Sequence, residues 1–196
     1  MEGTVRILGV LNEKYHLFRL LGEGSTSRVY LGIDTKDTTR LVAIKILKPE
    51  FINSQPKARD IFINELTALK SLDHPNIVKM YDYGVKGAIL GEYWNLTDVW
   101  FIVLEYISEM TMINLVGWKG CLTEDITRYF FKQMIETLIY INSKDIHHSD
   151  IKLENMLVNE SFLLKFTDFG FASFTQEKQT EQKGTPIYVA PEIIES

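Results

Sequence analysis

Residues 147–155 read HHSDIKLEN, and this stretch brings an acid, a lysine and an amide within six residues of one another. Thirteen residues after Asn155, the chain places a further acid, Asp168, in the sequence TDFG. A carboxylate such as Asp150 can accept a proton or orient a hydroxyl, and Lys152 can neutralise a phosphoryl group. The oxygens of Asn155 and Asp168 suit Mg²⁺ held against phosphates. The stretch therefore predicts a loop that serves phosphate chemistry.

The two histidines of the same stretch have a different interpretation. Side chains at neighbouring positions point apart, so His147 and His148 do not form a ready metal site. We interpret His148 as a packed structural residue, with metal ligation as the alternative.

Composition limits the class of protein. With 196 residues, 45% of them hydrophobic, the chain can bury a sizeable core and is not a disordered tail. Its net charge of −5 argues against broad binding to nucleic acid. Cys121 is the only cysteine, which excludes an internal disulfide and favours the reducing cytoplasm. The amino terminus does not resemble a signal peptide and no apolar run of 18 residues occurs, so we expect no membrane span.

Hydrophobic patterning predicts a strand-rich first half with one helix, followed by a helix and short strands. We read the Gly-containing residues 84–99 as a long connection between strands. In the second helix, Thr123 is the predicted N-cap. The predicted strands are Leu17–Leu21, Val29–Ile33, Leu41–Leu47, Ile77–Tyr83, Trp100–Ile107, Met156–Val158 and Leu163–Phe166. The predicted helices are Pro56–Leu72 and a segment after Thr123 with the apolar stripe Ile126, Phe130, Met134, Leu138 and Ile141.

A glycine-rich stretch lies between the first two predicted strands. Residues 22–29 read GEGSTSRV and fit the pattern GxGxxGxV, with Ser27 in the place of the third glycine. Glycine lets backbone N–H groups approach phosphate oxygens, but glycine pairs are common in turns, and a plain hairpin is the alternative explanation that this motif alone favours. A strand, not a helix, follows the glycines, which weakens a dinucleotide-binding interpretation.

A lysine and a glutamate occupy positions expected to be apolar. Lys45 ends the sequence VAIK in a predicted strand, and Glu65 lies four residues after Ile61 on the helix face expected to be buried. A buried carboxylate is costly unless it is paired, and Lys45 is the natural partner. The alternative is that Lys45 extends to solvent and Glu65 lies, solvated, at the edge of the stripe.

Taken together, these motifs resemble the eukaryotic protein kinases. The glycine-rich loop, VAIK, the helix glutamate, H-x-D-x-K-x-x-N, DFG and APE occur in that family's order between Tyr15 and Glu192. Lys152 and the sequence GTPIYVAPE at residues 184–192 resemble the serine/threonine type, with a similarity to calcium/calmodulin-dependent or energy-sensing kinases.

The resemblance implies a fold and its division. The implied fold is α+β and two-lobed, with a small antiparallel-sheet lobe plus one helix and an incomplete, mainly helical large lobe. Residues 1–106 would form the N-terminal ATP-binding lobe, with a five-stranded sheet and one helix. Residues 107–196 would form a partial C-terminal lobe that carries the catalytic loop, DFG and the activation segment.

The resemblance also implies ATP and Mg²⁺ as cofactors and assigns roles to residues. Asp150 would be the base or hydroxyl-orienting group, Lys152 would stabilise the γ-phosphoryl group, and Thr185 would contact both. Asn155 and Asp168 would hold Mg²⁺. The residues implied to bind ATP are Leu21, Gly22, Gly24, Val29, Ala43, Lys45, Glu65, Glu105, Ile107 and Leu157. An internal hydrophobic spine would contain Leu69, Met80, His148 and Phe169.

Two departures from the family pattern raise questions of regulation and completeness. Ser149 stands where most of the family has an arginine that pairs with a phosphate, and Glu181, three residues before Gly184, stands where the family often has its phosphorylated threonine. We therefore hypothesise activity that does not depend on phosphorylation of this segment, with Thr180 as the nearest acceptor; the alternative is that Ser149 has no consequence. The sequence ends at Ser196, where the family's large lobe normally continues, so we expect a truncated lobe whose exposed apolar surface favours aggregation or a partner chain.

Two functions follow from this reading. The first is a serine/threonine protein kinase that transfers the γ-phosphoryl group of ATP to a hydroxyl of a protein substrate. The alternative is a catalytically inactive module that binds a nucleotide or a partner. Neither hypothesis involves nucleic acid or a membrane.

Overall fold

The computed structural model describes residues 6–91, 95–107, 110–175 and 184–191, without the side chain of Lys119. The chain forms two compact units. Met1–Arg59 and Lys79–Tyr106 make up the first unit, and Asp60–Val78 and Ile107–Ser196 make up the second. One boundary lies after Tyr106, and residues 60–78, which include most of the predicted first helix, group with the second unit.

The first unit is a closed antiparallel barrel with the strand order β1-β2-β3-β4-β6-β5. A short helix, α1, follows β4 at Pro49–Ser54. The strands are β1 Gly9–Leu11, β2 Tyr15–Glu23, β3 Ser27–Asp34, β4 Asp37–Leu47, β5 Met80–Gly91 and β6 Asn95–Glu105. Long β-branched and aliphatic runs explain the strands, since such residues pack well on a pleated surface.

The prediction of five strands is wrong by one, because β1 was not anticipated. This strand of three residues pairs with β2 on one side and with β5 on the other, and so closes the barrel. Asn12 fixes the following turn to β5, since its Oδ1 accepts a hydrogen bond of 2.8 Å from the N–H of Ala88. A run this short carries too little periodicity to be recognised in a sequence.

The prediction of a long connection at residues 84–99 is also wrong. Most of this segment belongs to β5 and β6, which pair with each other through bulges near Gly84 and Gly87. A Cβ atom on Gly87 would lie 2.9 Å from ring atoms of Phe101 and 2.8 Å from Val99. Gly87 therefore allows the Phe101 ring to pack closely against β5 and does not mark a turn.

The interior of the barrel is a cluster of buried apolar side chains. Burial of this surface is the main term that stabilises the unit. The cluster contains Leu11, Tyr15, Leu17, Val42, Ile44, Ile46, Ile89, Val99, Phe101 and Val103. A hydrogen-bonded group of polar side chains lies beside this cluster. Asp82 Oδ2 accepts hydrogen bonds of 2.8 Å from Lys14 Nζ and from the Tyr15 hydroxyl. Burial raises the pKa of Tyr15 to about 12.

The second unit combines helices with short strand pairs. Its strands pair as β7 with β10 and β8 with β9. The helices are α2 Ala58–Ser71, which enters the unit at Asp60, α3 Met112–Lys119 and α4 Glu124–Asn142. The strands are β7 Ile146–His147, β8 Met156–Val158, β9 Leu164–Phe166 and β10 Ser173–Phe174. Turns of 3₁₀ helix occur at Leu153–Asn155 and Pro186–Tyr188.

Helix α4 begins as predicted, because the Thr123 side chain accepts a hydrogen bond from the N–H of Ile126. Its buried face differs from the predicted stripe. Phe130 and Ile141 are buried, but Ile126 is 45% exposed. The buried face instead includes two polar residues, Gln133 and Thr137. Hydropathy cannot reveal such positions, since a buried amide is satisfied only by partners that the fold supplies.

None of the helices in the described part of the chain has the length and apolar character to cross a membrane.

Candidate active site

The carboxylate of Asp150 is the centre of a polar cluster in the second unit. Asp150 is 3% exposed. Its Oδ1 accepts a hydrogen bond of 2.8 Å from the Thr185 hydroxyl. Its Oδ2 lies 2.7 Å from Lys152 Nζ and accepts a hydrogen bond of 2.9 Å from Asn155 Nδ2. The structure thus brings together four of the residues that the sequence singled out.

Lys152 and Thr185 also contact each other. Lys152 Nζ donates a hydrogen bond of 2.8 Å to the Thr185 hydroxyl, which in turn donates to Asp150. Gly184 permits this approach. It has a φ of +105°, and a Cβ atom there would lie 2.9 Å from the carbonyl oxygen of Ser149. A residue with a side chain at position 184 would therefore push Thr185 away from the loop.

Several donors determine the charge of Asp150. Burial alone raises the pKa of this carboxyl, but hydrogen bonds from Lys152 and Thr185, the charge of Lys152 and the amide of Asn155 outweigh it. The pKa of Asp150 therefore lies below its ordinary value. The group is ionised at neutral pH and is available to accept a proton.

His148 supports the loop from within, as the packed interpretation predicted. Its Nδ1 accepts a hydrogen bond of 3.3 Å from the N–H of Asp150, and its Nε2 donates one of 3.1 Å to the Thr167 carbonyl. The ring centroid lies 4.6 Å from that of Phe169. Burial lowers the pKa of His148, which agrees with a neutral ring that donates at one nitrogen and accepts at the other. Leu69 and Phe169 are also buried in this unit.

Asn155 and Asp168 are the two predicted metal ligands. Asn155 Nδ2 donates to both the backbone oxygen and Oδ2 of Asp150, which leaves Oδ1 as the amide atom that can bind a metal. The carbonyl of Asn155 accepts a hydrogen bond of 3.0 Å from the N–H of Thr167, the residue before Asp168. Asp168 has a φ of +60°. One carboxylate and one amide oxygen fit Mg²⁺, which takes few protein ligands and completes its shell with water and phosphate oxygens.

Glu65 is buried, so the solvated alternative is wrong. It is 2% exposed. A Cβ atom on Gly170 would lie 3.9 Å from Glu65 Oε2 and 3.5 Å from Asp168 Oδ1, so helix α2 carries Glu65 to the DFG sequence. Lys45 is also buried, at 8% exposed, and so does not extend into solvent. The pairing of Lys45 with Glu65 stays a prediction, since the two residues belong to different units.

The first unit contains the glycine-rich hairpin between β2 and β3. Gly22 lies in β2 and Gly24 in the turn, and a Cβ atom on either would meet nothing within 4 Å. Ser27, which replaces the third glycine, is the buried first residue of β3. The sequence analysis did not predict a role for Glu23, which forms ion pairs with Lys48 and Arg28 at the hairpin. The segment is thus a hairpin with an open surface over its glycines.

The remaining predicted ATP-binding residues lie on strands or close to them. Val29 pairs with both Gly22 and Lys45 across the sheet. Glu105 ends β6, and its Oε2 accepts a hydrogen bond of 3.1 Å from the N–H of Lys79. The others are Leu21 on β2, Ala43 on β4, Ile107 in the second unit and Leu157 on β8.

Ser149, the residue that departs from the family pattern, also has hydrogen-bond partners. Its hydroxyl lies 3.1 Å from that of Ser173 on β10 and donates to the carbonyl of His147. Thr180, Glu181 and Glu192 lie outside the described residues. The hypothesis on phosphorylation therefore stays a prediction.

The sequence reasoning missed a buried amide pair in the same unit. Asn76 Nδ2 donates a hydrogen bond of 2.8 Å to Gln133 Oε1 and one of 2.7 Å to the carbonyl of Leu164. Gln133 Oε1 also accepts a hydrogen bond from the N–H of Leu164. The one available signal was a glutamine at position 133, on the face of α4 that also carries Phe130.

Comparison with known proteins gives the class to which this fold and site belong. The protein kinase domain family matches residues 15–196, and the chain therefore belongs to that family. The predicted α+β fold with an antiparallel strand-rich first lobe is confirmed with it.

Individual relatives share about a third of their residues with this chain. CBL-interacting protein kinase 31 of Oryza sativa subsp. japonica is 35% identical over 93% of this chain and 39% of its own length. The ovarian-specific serine/threonine-protein kinase Lok of Drosophila melanogaster is 32% identical over 94% of this chain and 38% of its own length. A probable serine/threonine-protein kinase of Dictyostelium discoideum is 33% identical, and 20% of its length is covered. The chain thus spans less than half the length of these curated relatives.

Proposed function

We propose that this chain transfers the γ-phosphoryl group of ATP to a serine or threonine hydroxyl of a protein substrate. The observation that carries the proposal is the cluster of Asp150, Lys152, Asn155 and Thr185, in which a charged carboxylate and an ammonium group surround one point. Phosphoryl transfer needs no covalent nucleophile from the protein, but it does need positioning and charge compensation. The family match and the serine/threonine kinases among the relatives support the same function.

In the proposed reaction Asp150 orients the substrate hydroxyl. The hydroxyl oxygen forms a bond to the γ-phosphorus, and the bond between that phosphorus and the β,γ-bridging oxygen breaks. The electron pair leaves with ADP, and the hydroxyl proton passes to the Asp150 carboxylate, whose lowered pKa keeps it ionised before the step. Lys152 compensates the charge on the transferring oxygens.

The other predicted residues bind the nucleotide in this proposal. Asn155 Oδ1 and the Asp168 carboxylate hold Mg²⁺, which neutralises phosphate charge when bound. Lys45 binds the α- and β-phosphates, and Gly22 and Gly24 leave room for phosphate above the hairpin. Thr185 bridges Lys152 and Asp150, and Lys152 and residues 184–192 are the parts of the sequence that resemble the serine/threonine type.

A partner-binding module is the second candidate, and one observation favours it. Helix α4 exposes Phe131, Ile135 and Ile139 at 56%, 41% and 63%. Apolar residues repeated at every fourth position form a stripe that a partner chain could cover.

The free, exposed Cys121 supports a cytoplasmic location for either function.

A transfer assay separates the two candidates. Purified chain is incubated with labelled ATP, Mg²⁺ and a mixed peptide library. We expect label in the peptides, and a loss of at least about a hundredfold in Asp150→Asn, because the proton acceptor is removed. Asp145→Asn is the matched control, since Asp145 is exposed and makes its described contact with Thr175 through its backbone oxygen. Stabilisation by ATP without transfer would favour the module.

A further inference from the structure

The loop after helix α2 is attached to helix α4 at two points. The N–H of Asp73 donates a hydrogen bond of 2.9 Å to the Tyr140 hydroxyl, and the His74 ring stacks on Tyr140 with centroids 4.8 Å apart. Asn76 then donates its side-chain amide to Gln133 Oε1. Because both Tyr140 and Gln133 lie on one rigid helix, the loop is held in a defined position.

From that position Asn76 forms hydrogen bonds to strand β9 with both its side chain and its backbone. Its Nδ2 donates a hydrogen bond of 2.7 Å to the carbonyl of Leu164. Its carbonyl accepts one of 2.8 Å from the N–H of Phe166, and the N–H of Val78 donates to the Phe166 carbonyl. Asn76 is 6% exposed, so water does not readily replace these bonds.

These hydrogen bonds to Leu164 and Phe166 lie shortly before Asp168 in the chain. Phe166 is the last residue of β9 and stands two residues before Asp168. On the far side of Asp168, Gly170 approaches Ile61 and Glu65 of helix α2. The segment from α2 to Val78 therefore contacts the chain on both sides of this carboxylate, which has a left-handed backbone at φ +60°.

We propose that Asn76 is a positioning residue for Asp168. Through its bonds to Leu164 and Phe166, it fixes the exit of β9 and so the place where the Asp168 carboxylate meets a metal ion. This inference rests on the proposed function, in which Asp168 holds Mg²⁺. Partners in the outer shell of a metal site orient the ligands in the same way.

The catalytic loop offers a competing anchor. The N–H and carbonyl of Thr167 bond to Asn155 and His148, and these bonds also constrain Asp168. If they alone sufficed, removal of the Asn76 amide would leave the metal site intact. The experiment must therefore report on the β9 exit and on metal binding separately.

The test compares Asn76→Ala with Thr137→Val in the full chain. Thr137 is fully buried on α4 and its hydroxyl donates to the Gln133 carbonyl, so its substitution perturbs the same region but removes no hydrogen bond to β9. The first measurement is amide hydrogen exchange at residues 164–168 without nucleotide. The second is the Mg²⁺ concentration that half-saturates binding of a fluorescent, non-hydrolysable ATP analogue.

We expect exchange at residues 164–168 to be about tenfold faster in Asn76→Ala, and the half-saturating Mg²⁺ concentration to be about tenfold higher. Thr137→Val should leave both close to the wild-type values. In a chain that binds the analogue, an unchanged Mg²⁺ dependence overturns the proposal, since it assigns Asn76 a merely structural role. If Asn76→Ala does not fold, Asn76→Ser takes its place.

Failure of the proposed function has a separate signature. A wild-type chain that shows no Mg²⁺-dependent binding of the analogue would contradict ATP binding. The exchange measurement needs no nucleotide, so it still decides whether Asn76 fixes the exit of β9. Exchange at residues 164–168 that matches Thr137→Val would overturn the positioning role by itself.

Discussion

At the scale of single residues, Asp150 keeps its charge in a buried place because donors surround it. Lys152, Thr185 and Asn155 all direct N–H or O–H groups at its carboxylate. These contacts lower the pKa of Asp150 against the opposing effect of burial. Its ionised form therefore contributes stability above the ordinary pKa of an aspartate, and that contribution is lost as the pH falls through the lowered value.

Substitution of Thr185 should shift this titration. Thr185→Val removes the hydroxyl that donates to Asp150 Oδ1, so we expect the pKa of Asp150 to rise towards its ordinary value. The acid limb of the pH–rate profile should move to higher pH, and acid unfolding should begin at a higher pH. NMR titration of the Asp150 carboxyl measures the same change directly.

Thr127→Val serves as the control for this substitution, because its hydroxyl bonds only to the Thr123 carbonyl at the start of α4. Its acid limb should match that of the wild type. An acid limb in Thr185→Val that stays in place, or moves to lower pH, would show that the hydroxyl does not hold the charged form of Asp150.

Residue types and spacing, with the family resemblance, singled out the four residues that the structure brings together around Asp150, but they did not reveal every buried polar residue of this unit. Burial of Glu65 and Lys45 was foreseeable, since each lies among apolar residues at the spacing of its helix or strand. Asn76 and Gln133 could not be foreseen. Nothing in the sequence distinguishes either residue from an exposed polar one. Burial of Asn76 depends on hydrogen-bond partners that lie 57 and 88 residues away in the chain.

At the scale of elements, glycine was the main source of error. The sequence interpretation treated the Gly-containing residues 84–99 as a connection, whereas Gly84 and Gly87 lie in strand β5 where the Phe101 ring packs closely against it. Glycine marks a turn and a close approach equally well, and only the cross-strand partner tells them apart. Strand β1 was missed for a related reason, because three residues carry no measurable alternation.

The same substitution at two glycines should have opposite effects. Gly87→Ala places a methyl group within 3 Å of Val99 and Phe101, so we expect the free energy of unfolding to fall by about 1–3 kcal/mol. Gly117→Ala lies in helix α3 with open space around it, and should raise stability by up to about 1 kcal/mol. Urea denaturation measures both.

Equal stability of these two variants would contradict the packing of Phe101 against β5. Loss of stability in Gly117→Ala would instead contradict the helical conformation of Met112–Lys119.

At the scale of the whole molecule, the predicted site residues are divided between the two units. The first contains the glycine-rich hairpin and Lys45, and the second contains Glu65, the Asp150 cluster and Asp168. The sequence did not predict that residues 60–78 group with the second unit, since the order of residues in the chain does not show this grouping.

The exposed stripe of helix α4 should affect solution behaviour. Ile139 is 63% exposed, and without a partner this surface favours self-association. We expect Ile139→Lys to weaken self-association by about tenfold or more in sedimentation experiments. Leu90→Lys is the matched control, since Leu90 is 59% exposed on strand β5 of the first unit. If Leu90→Lys weakened self-association as much as Ile139→Lys, the change would come from the added positive charge and not from loss of the apolar stripe on α4.

The identity of the phosphorylated residue tests the central claim most directly. The full chain is incubated with labelled ATP, Mg²⁺ and a peptide library that contains serine, threonine and tyrosine, and the labelled amino acids are identified after hydrolysis. The account predicts phosphoserine and phosphothreonine, with none formed by Asp150→Asn. Label on tyrosine alone, or equal labelling by wild type and Asp150→Asn, would contradict it.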